Sequence, residues 1–207
     1  MNIAGLDVAT CSGLAIMGDA GTIIHAEKHR PKGTTDAEII SGFRHWLRPV
    51  LVANKVEHVA IEEPLPTNIE RTEIVFSHGL SGPQSRKIKR PMSNMATYRR
   101  LYALVGAAEA LCFDLNIEFT EVNIREWREF YHGRRSAPKG IAGNPTDWWK
   151  DQALARCAQL HRSGIIAQPI TSKDAAEAVG IVFWLEGHLK LRKRAMPGEL
   201  QLTGAAA

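Results

Sequence analysis

The 207-residue sequence has only three cysteines, Cys11, Cys112 and Cys157, an odd number in widely separated places. It contains no C-x-x-C pair and no Cys/His cluster at zinc spacing, so neither a disulfide framework nor a structural zinc site is expected. Reduced thiols in a cytoplasmic protein are the consistent reading. No apolar run approaches the roughly 20 residues needed to cross a bilayer, and no basic leader precedes the first apolar segment. A membrane partner and a processed leader are therefore not expected. There is no internal repeat and no linker. With 44% hydrophobic residues, the chain can bury one substantial core, which predicts a single domain over 1–192 and a basic, small-residue tail over 193–207.

Acidic residues are missing where basic ones collect. Between Ile74 and Ala108 there is no Asp or Glu, while Arg86, Lys87, Lys89, Arg90, Arg99 and Arg100 all fall in that window. A second basic cluster, Lys190, Arg192, Lys193 and Arg194, lies near the end of the chain. The formal net charge of +4 is mild, so the distribution carries the argument. Segregated positive charge of this kind is the footprint of phosphate-backbone binding, against the plainer alternative of a solvated loop and tail.

The periodicity predicts an α/β chain. Met1 to Leu6 is an apolar run ending at Asp7, then a turn-rich Ala-Thr-Cys-Ser-Gly leads to a second run, Leu14 to Met17, suggesting an antiparallel hairpin. A third strand is expected at Thr22 to His29 and a fourth at His58 to Ile61, ending in Glu62, Glu63 and Pro64. Between them Ile39, Ile40, Phe43, Trp46, Leu47, Val50 and Leu51 recur at helical spacing, with Thr34 or Thr35 as cap. A basic loop from about Ser77 to Pro91 is expected to lead into a helix at Ser93 to Leu115. A fifth strand follows at Glu118 to Val122 and a short helix at Ile124 to Phe130. A Gly-, Pro- and base-rich loop precedes two final helices, Trp148 to Arg162 and Lys173 to Leu191. The order βββαβαβα describes a mixed five-stranded sheet with helices on its faces.

Four carboxylates stand where such a domain has no structural use for them. Asp7 and Glu62 end two strands directly after apolar residues, and Asp174 and Glu177, at i and i+3, share one helical face. Taken singly, each has a plainer reading as a turn residue, a solvated strand end or a first-turn acid. Together they would repel one another unless cations sat between them. Oxygen ligands of this kind suit Mg²⁺, with Mn²⁺ as a substitute. Two such ions about 3.5 to 4 Å apart activate a water and stabilise the departing oxygen of a phosphodiester.

The segments Ile3-Ala-Gly-Leu-Asp7-Val-Ala-Thr-Cys-Ser-Gly13-Leu-Ala, Val59-Ala-Ile-Glu62-Glu63 and Asp174-Ala-Ala-Glu177-Ala-Val resemble the three acidic motifs of RuvC-like Holliday-junction resolvases, within the retroviral-integrase/RNase H superfamily. The resemblance runs from residue 3 to about residue 189, and between the motifs it is topological. It implies an RNase H-like α/β fold with helices on both faces of the sheet. It also implies a crossover-junction endonuclease with two Mg²⁺ ions per site, acting as a homodimer on four-way DNA. Asp7, Glu62, Asp174 and Glu177 would be its catalytic and metal-binding set, and Glu63 the less favoured ligand. The family usually has Asp where Glu177 stands, which leaves the exact coordination open. It commonly has an aromatic wedge after the second motif, where this chain has Pro64, Leu65 and Pro66. The wedge falls to Leu65 or to another segment.

The resemblance also implies a DNA-facing surface at Arg86, Lys87, Lys89 and Arg90, with a dimer interface nearby. Similar proteins place lysines near the scissile phosphate around Arg134, Arg135, Lys139 and Lys150, and Lys150 is the best match. Trp148 and Trp149 are candidates for stacking on an unpaired base, against a core role for at least one of them. His25 and His29, at i, i+4 on a strand, do not converge and receive no role. Two alternatives stay open: a nuclease of this fold acting on forks, flaps or RNA–DNA hybrids, and a branched-DNA-binding protein without catalysis. An actin-like kinase needs about twice this length and a second phosphate loop. Cleavage preference, host and any branch-migration or replication partner are not legible.

Overall fold

The computed structural model of the chain describes residues 1–64, 70–79, 82–91, 94–141 and 143–195. Leu65, the wedge candidate, and residues 196–207 lie outside the described residues, as do the side chains of Lys89, Arg90, Lys193 and Arg194. In chain order the elements are β1 (Asn2–Asp7), β2 (Ser12–Met17), β3 (Ile23–His29), α1 (Asp36–Ala53), β4 (Val56–Glu62), β5 (Glu70–Gly79), β6 (Gly82–Pro91), α2 (Met95–Asp114), β7 (Glu118–Val122), α3 (Ile124–His132), α4 (Pro145–Arg162) and α5 (Lys173–Ala195). The final helix thus continues three residues past the boundary expected at 192.

The main sheet has the order β3-β2-β1-β4-β7. The β1–β2 and β2–β3 pairs are antiparallel, while β1–β4 and β4–β7 are parallel. The expected five-stranded mixed sheet is present, with α1 and α2 on one face and α3, α4 and α5 on the other. Side chains alternate across a strand, and that alternation places the functional groups. In β1, Ala4 and Leu6 join the core under α1 and α2, while Ile3 joins the core under α5. Asp7 has the parity of Ile3 and so points to the α5 side. In β4, Val59 and Ile61 face α1 and α2 and Ala60 faces the other core, which directs Glu62 to the same side as Asp7. Thr35 supplies the cap of α1, its hydroxyl accepting from the Glu38 amide while the Glu38 carboxylate accepts from the Thr35 amide at 3.0 Å.

One expectation is corrected. The segment from Ser77 to Pro91 is not a loop. It is most of a β-hairpin, in which β5 and β6 pair antiparallel from Glu70↔Pro91 to Gly79↔Gly82. The Ser, Gly and Pro residues that signalled a loop cluster around its turn. Among the described residues the hairpin adds nothing to either core, so the hydrophobic alternation that marks a half-buried strand has nothing to select it.

Candidate functional site

Close packing of α5 on the sheet builds the site. A Cβ on Gly5 would overlap the carbonyl oxygen of Ala178, and one on Gly13 the carbonyl oxygen of Asp174. Only glycine at these two points, with Ala175, Ala176, Ala178 and Val179 buried on α5, lets the helix lie directly on β1 and β2. Gly13 is paired with Asp7 across the β1–β2 ladder. The contact that seats the first turn of α5 therefore also brings Asp174 to Asp7. Ser172 accepts from the Ala175 amide at 3.4 Å, so the start of α5 is capped without Asp174 or Glu177. Both remain available to the site.

Asp7, Asp174 and Glu177 each offer a carboxylate oxygen within 4.8 Å of the others. Asp7 is 8% and Glu177 5% exposed, which is a rare state for acids that lack full charge compensation. Glu62 stands beside this trio. Its residue keeps some accessible surface, but its carboxylate is enclosed and accepts from Trp127 Nε1 at 2.7 Å. Burial, then repulsion from Glu62 and Glu177, pushes the Asp7 carboxyl well above the usual carboxylate range. Burial and the Glu177 charge raise Glu62 to about 7. Burial also raises Glu177. Asp174 goes the other way. Burial opposes its ionisation, but hydrogen bonds from Lys150 and Cys11 outweigh it and hold the carboxyl low.

Two cations offset the cluster. Lys150, from the first turns of α4, donates to Asp174 at 2.5 Å and lies 3.8 Å from Glu177. Although burial disfavours its charge, those carboxylates raise its pKa. Arg128, from α3, donates to Glu177 at 3.0 Å. Its guanidinium lies 5.3 Å from the Trp127 ring and 5.0 Å from the Trp149 ring, held between two aromatic faces. All four proximal ligand candidates are carboxylates, with no thiolate or imidazole among them, and this hard oxygen set fits a divalent ion such as Mg²⁺ or Mn²⁺.

The four acids singled out in the sequence are thus brought together, and Lys150 with them. Glu63 is not in the cluster; it points away and accepts from Asn123 Nδ2 at 3.0 Å. Arg134, Arg135 and Lys139 are exposed in the segment between α3 and α4. Arg134 lies over Trp148, and Arg135 is paired to Glu129 at 2.6 Å. Arg86 and Lys87 are exposed on β6. Trp149 is buried at 4% exposure and Trp148 is half-buried against it. His29 stacks on Trp46 and His25 faces Glu27. The reading of the sequence missed Arg128, Trp127 and Cys11. A weak signal existed for the first two, since Trp127 and Tyr131 at i, i+4 mark the buried face of α3 and Arg128 borders it.

No protein-family model matches the sequence, and no curated protein matches it. Solved structures do match in fold. Thermus thermophilus RuvC superposes with a TM-score of 0.62 at 15% identity, over 93% of this chain and 97% of that one. The T. thermophilus RuvC in complex with a Holliday junction substrate gives 0.61 at 12% identity, over 92% and 96%. The yeast mitochondrial Holliday junction resolvase Ydc2 gives 0.50 at 7% identity, over 94% and 86%. The chain therefore has the RNase H-like fold seen in RuvC.

Proposed function

We propose that this chain is a divalent-metal-dependent endonuclease that resolves four-way DNA junctions by paired, symmetric phosphodiester hydrolysis, acting as a homodimer. The observation that carries the reading is the convergence of Asp7, Asp174 and Glu177 within 4.8 Å, with Glu62 beside them, on the fold of RuvC. Three of these acids are held at raised pKa values by burial and mutual repulsion. Such a cluster is costly to the fold, and a role in binding cations accounts for it.

In this reading Asp7, Glu62, Asp174 and Glu177 hold Mg²⁺ or Mn²⁺. The bound metal supplies an activated water and charge stabilisation at the departing 3′ oxygen. The protein groups do the rest. Trp127 fixes the Glu62 carboxylate through its indole N–H. Arg128 fixes Glu177 and is itself restrained by two indole rings. Lys150 remains protonated and, at the rim of the cluster, is placed to donate to a non-bridging oxygen of the scissile phosphate. Arg134 and Lys139, both exposed nearby in sequence, supply phosphate contacts that position the strand without reading its bases.

A dimer matches the substrate because a four-way junction offers two equivalent strands, and an isologous interface offers two equivalent sites. The interface is assigned to α2, where Met95, Tyr102 and Phe113 are exposed beside the buried stripe that packs on the sheet. The test is incubation of purified protein and Mg²⁺ with a four-way junction, a fork, a flap and linear duplex, resolved on a denaturing gel. Paired cuts in opposing strands of the junction, giving ligatable nicked duplexes, support the reading. Cleavage of forks or flaps with the junction intact supports instead a different nuclease of this fold.

A further inference from the structure

The hairpin β5–β6 forms a two-stranded sheet of its own, apart from the main one. Its strands pair over ten registered positions, yet among the described residues they pack essentially only on each other. Ile74 is 55% exposed, and Ser85, Arg86 and Lys87 are exposed as well. An isolated two-stranded ribbon is marginal in water. A ribbon of this length that adds no residue to either core among the described residues is best explained by a surface that supplies the missing contacts.

The charge pattern identifies that surface. The hairpin carries Arg71, Arg86, Lys87, Lys89 and Arg90 against only Glu70 and Glu73. Arg86 and Lys87, both exposed, are neighbours on β6 and so lie on opposite faces of the ribbon. A planar anionic surface would engage one face and leave the other uncompensated. A groove with phosphates along both walls compensates both. The major groove of duplex DNA, about 12 Å wide, admits a two-stranded ribbon.

We propose that the hairpin Glu70–Pro91 enters the major groove of one duplex arm of the substrate and anchors that arm relative to the metal site. The proposal rests on the junction-nuclease reading above and adds a second DNA contact of a different kind. The geometry bounds its reach. Five residues lie between Pro64 and Glu70, so the chain steps joining them span at most about 21 Å when extended, and ten strand residues add about 34 Å. Contacts therefore fall within roughly 16 base pairs of the cleavage site, taking about 3.4 Å per base pair along the duplex.

The experiment is dimethyl sulfate footprinting of a four-way junction with 20-base-pair arms. The full chain is bound in Ca²⁺ and compared with Arg86→Ala/Lys87→Ala and with a variant whose residues 70–91 are replaced by a short Gly-Ser linker. Each variant is also assayed for cleavage in Mg²⁺, and its melting temperature is checked against wild type. The parent protein should protect guanine N7, which lines the major groove, at positions on one arm away from the branch. Both variants should lose that protection, and the double variant should show a salt slope of binding shallower by roughly two units, near 0.9 per lost phosphate contact. Unchanged N7 protection and salt slope in a linker variant that still cuts the junction would overturn the proposal. So would hairpin-dependent protection of adenine N3, in the minor groove, in place of guanine N7. Hairpin-dependent N7 protection without junction cleavage by the parent protein would uphold the ribbon and defeat the nuclease reading.

Discussion

The acidic cluster should make the metal-free protein less stable as pH rises, and Glu62 gives the magnitude. Its carboxyl titrates at 4.5 when free and at about 7 in the fold, raised by burial and then by the Glu177 charge. A carboxyl whose folded pKa is raised binds more protons in the native state than in the unfolded chain. Its contribution is then fully present below pH 4.5 and is lost as pH rises through about 7. At about 1.4 kcal/mol per tenfold change in acidity, that loss is roughly 3 kcal/mol as an upper value. For a chain of this size it corresponds to roughly 6–12 °C in melting temperature. His132, lowered to about 4 by burial and then by Arg128 and Arg156, acts in the opposite sense between pH 4 and 6.5. The raw melting curve therefore mixes two signs, and the difference between wild type and Glu62→Gln isolates the carboxylate. The glutamine can still accept from Trp127 Nε1 and carries no charge at any pH. In EDTA the two proteins should melt together near pH 4.5, with Glu62→Gln more stable by that margin at pH 8. Saturating Mg²⁺ should close or invert the gap, because only the wild type gains a ligand from the ion. A difference that stays constant with pH, or that favours wild type at pH 8 in EDTA, would refute the reasoning.

Asp7→Asn, Asp174→Asn and Glu177→Gln should each reduce single-turnover junction cleavage by at least about a hundredfold while leaving junction binding within about twofold, because the metal is lost and the phosphate contacts are not; full cleavage by Asp7→Asn at ordinary Mg²⁺ would sink the site. Arg128→Ala leaves Glu177 buried without its 3.0 Å partner and should cost about 3 kcal/mol in urea denaturation of the metal-free protein, a deficit that Mg²⁺ narrows. Gly13→Ala forces a methyl group into the Asp174 carbonyl and should cost about 1–3 kcal/mol and raise the Mg²⁺ concentration needed for cleavage; an unchanged Mg²⁺ titration would mean that α5 does not set the site. Tyr102→Glu, on the exposed side of α2, should convert a sedimenting dimer into a monomer that nicks junctions on one strand at a time; a persisting dimer moves the interface elsewhere.

The strand ends were legible in the sequence, since Asp7 after Leu6 and Glu62 after Ile61 sit one step beyond apolar runs. That both point to one face was not, because β1 and β4 are buried on both sides and show no alternation. Asp174 and Glu177 were legible because helical spacing needs no tertiary information. What could not be read was supplied by elements crossing one another. Arg128 meets Glu177, and Trp127 meets Glu62, only because α3 packs on α5 at Gly180, where a Cβ would lie 2.8 Å from the Trp127 ring. A nine-residue helix carries too little periodicity to announce that contact. The hairpin was misread for a related reason. Among the described residues its strands add nothing to either core, so the alternation that identifies strands has nothing to select it, and Gly79, Gly82 and Pro83 dominated the local signal.

Charge balance ties the site to its proposed chemistry. With all groups ionised, Asp7, Glu62, Asp174 and Glu177 bring four negative charges against two positive ones on Lys150 and Arg128. The deficit of two is the charge of one divalent ion. Without metal, burial and then mutual repulsion raise Asp7 and Glu62, and burial raises Glu177, so the deficit is met by protons on these acids, while Asp174, in direct contact with Lys150, is held low. A phosphodiester entering the site adds another negative charge and makes room electrostatically for a second ion. Substrate and metal should therefore bind with positive coupling, each tightening the other. Lys150 sits where that coupling is felt, because any ion bound by Asp174 competes for the carboxylate Lys150 now holds. Displaced from Asp174, the ammonium group has the incoming phosphate as its nearest replacement partner, so metal loading itself would turn a structural ion pair into a substrate contact.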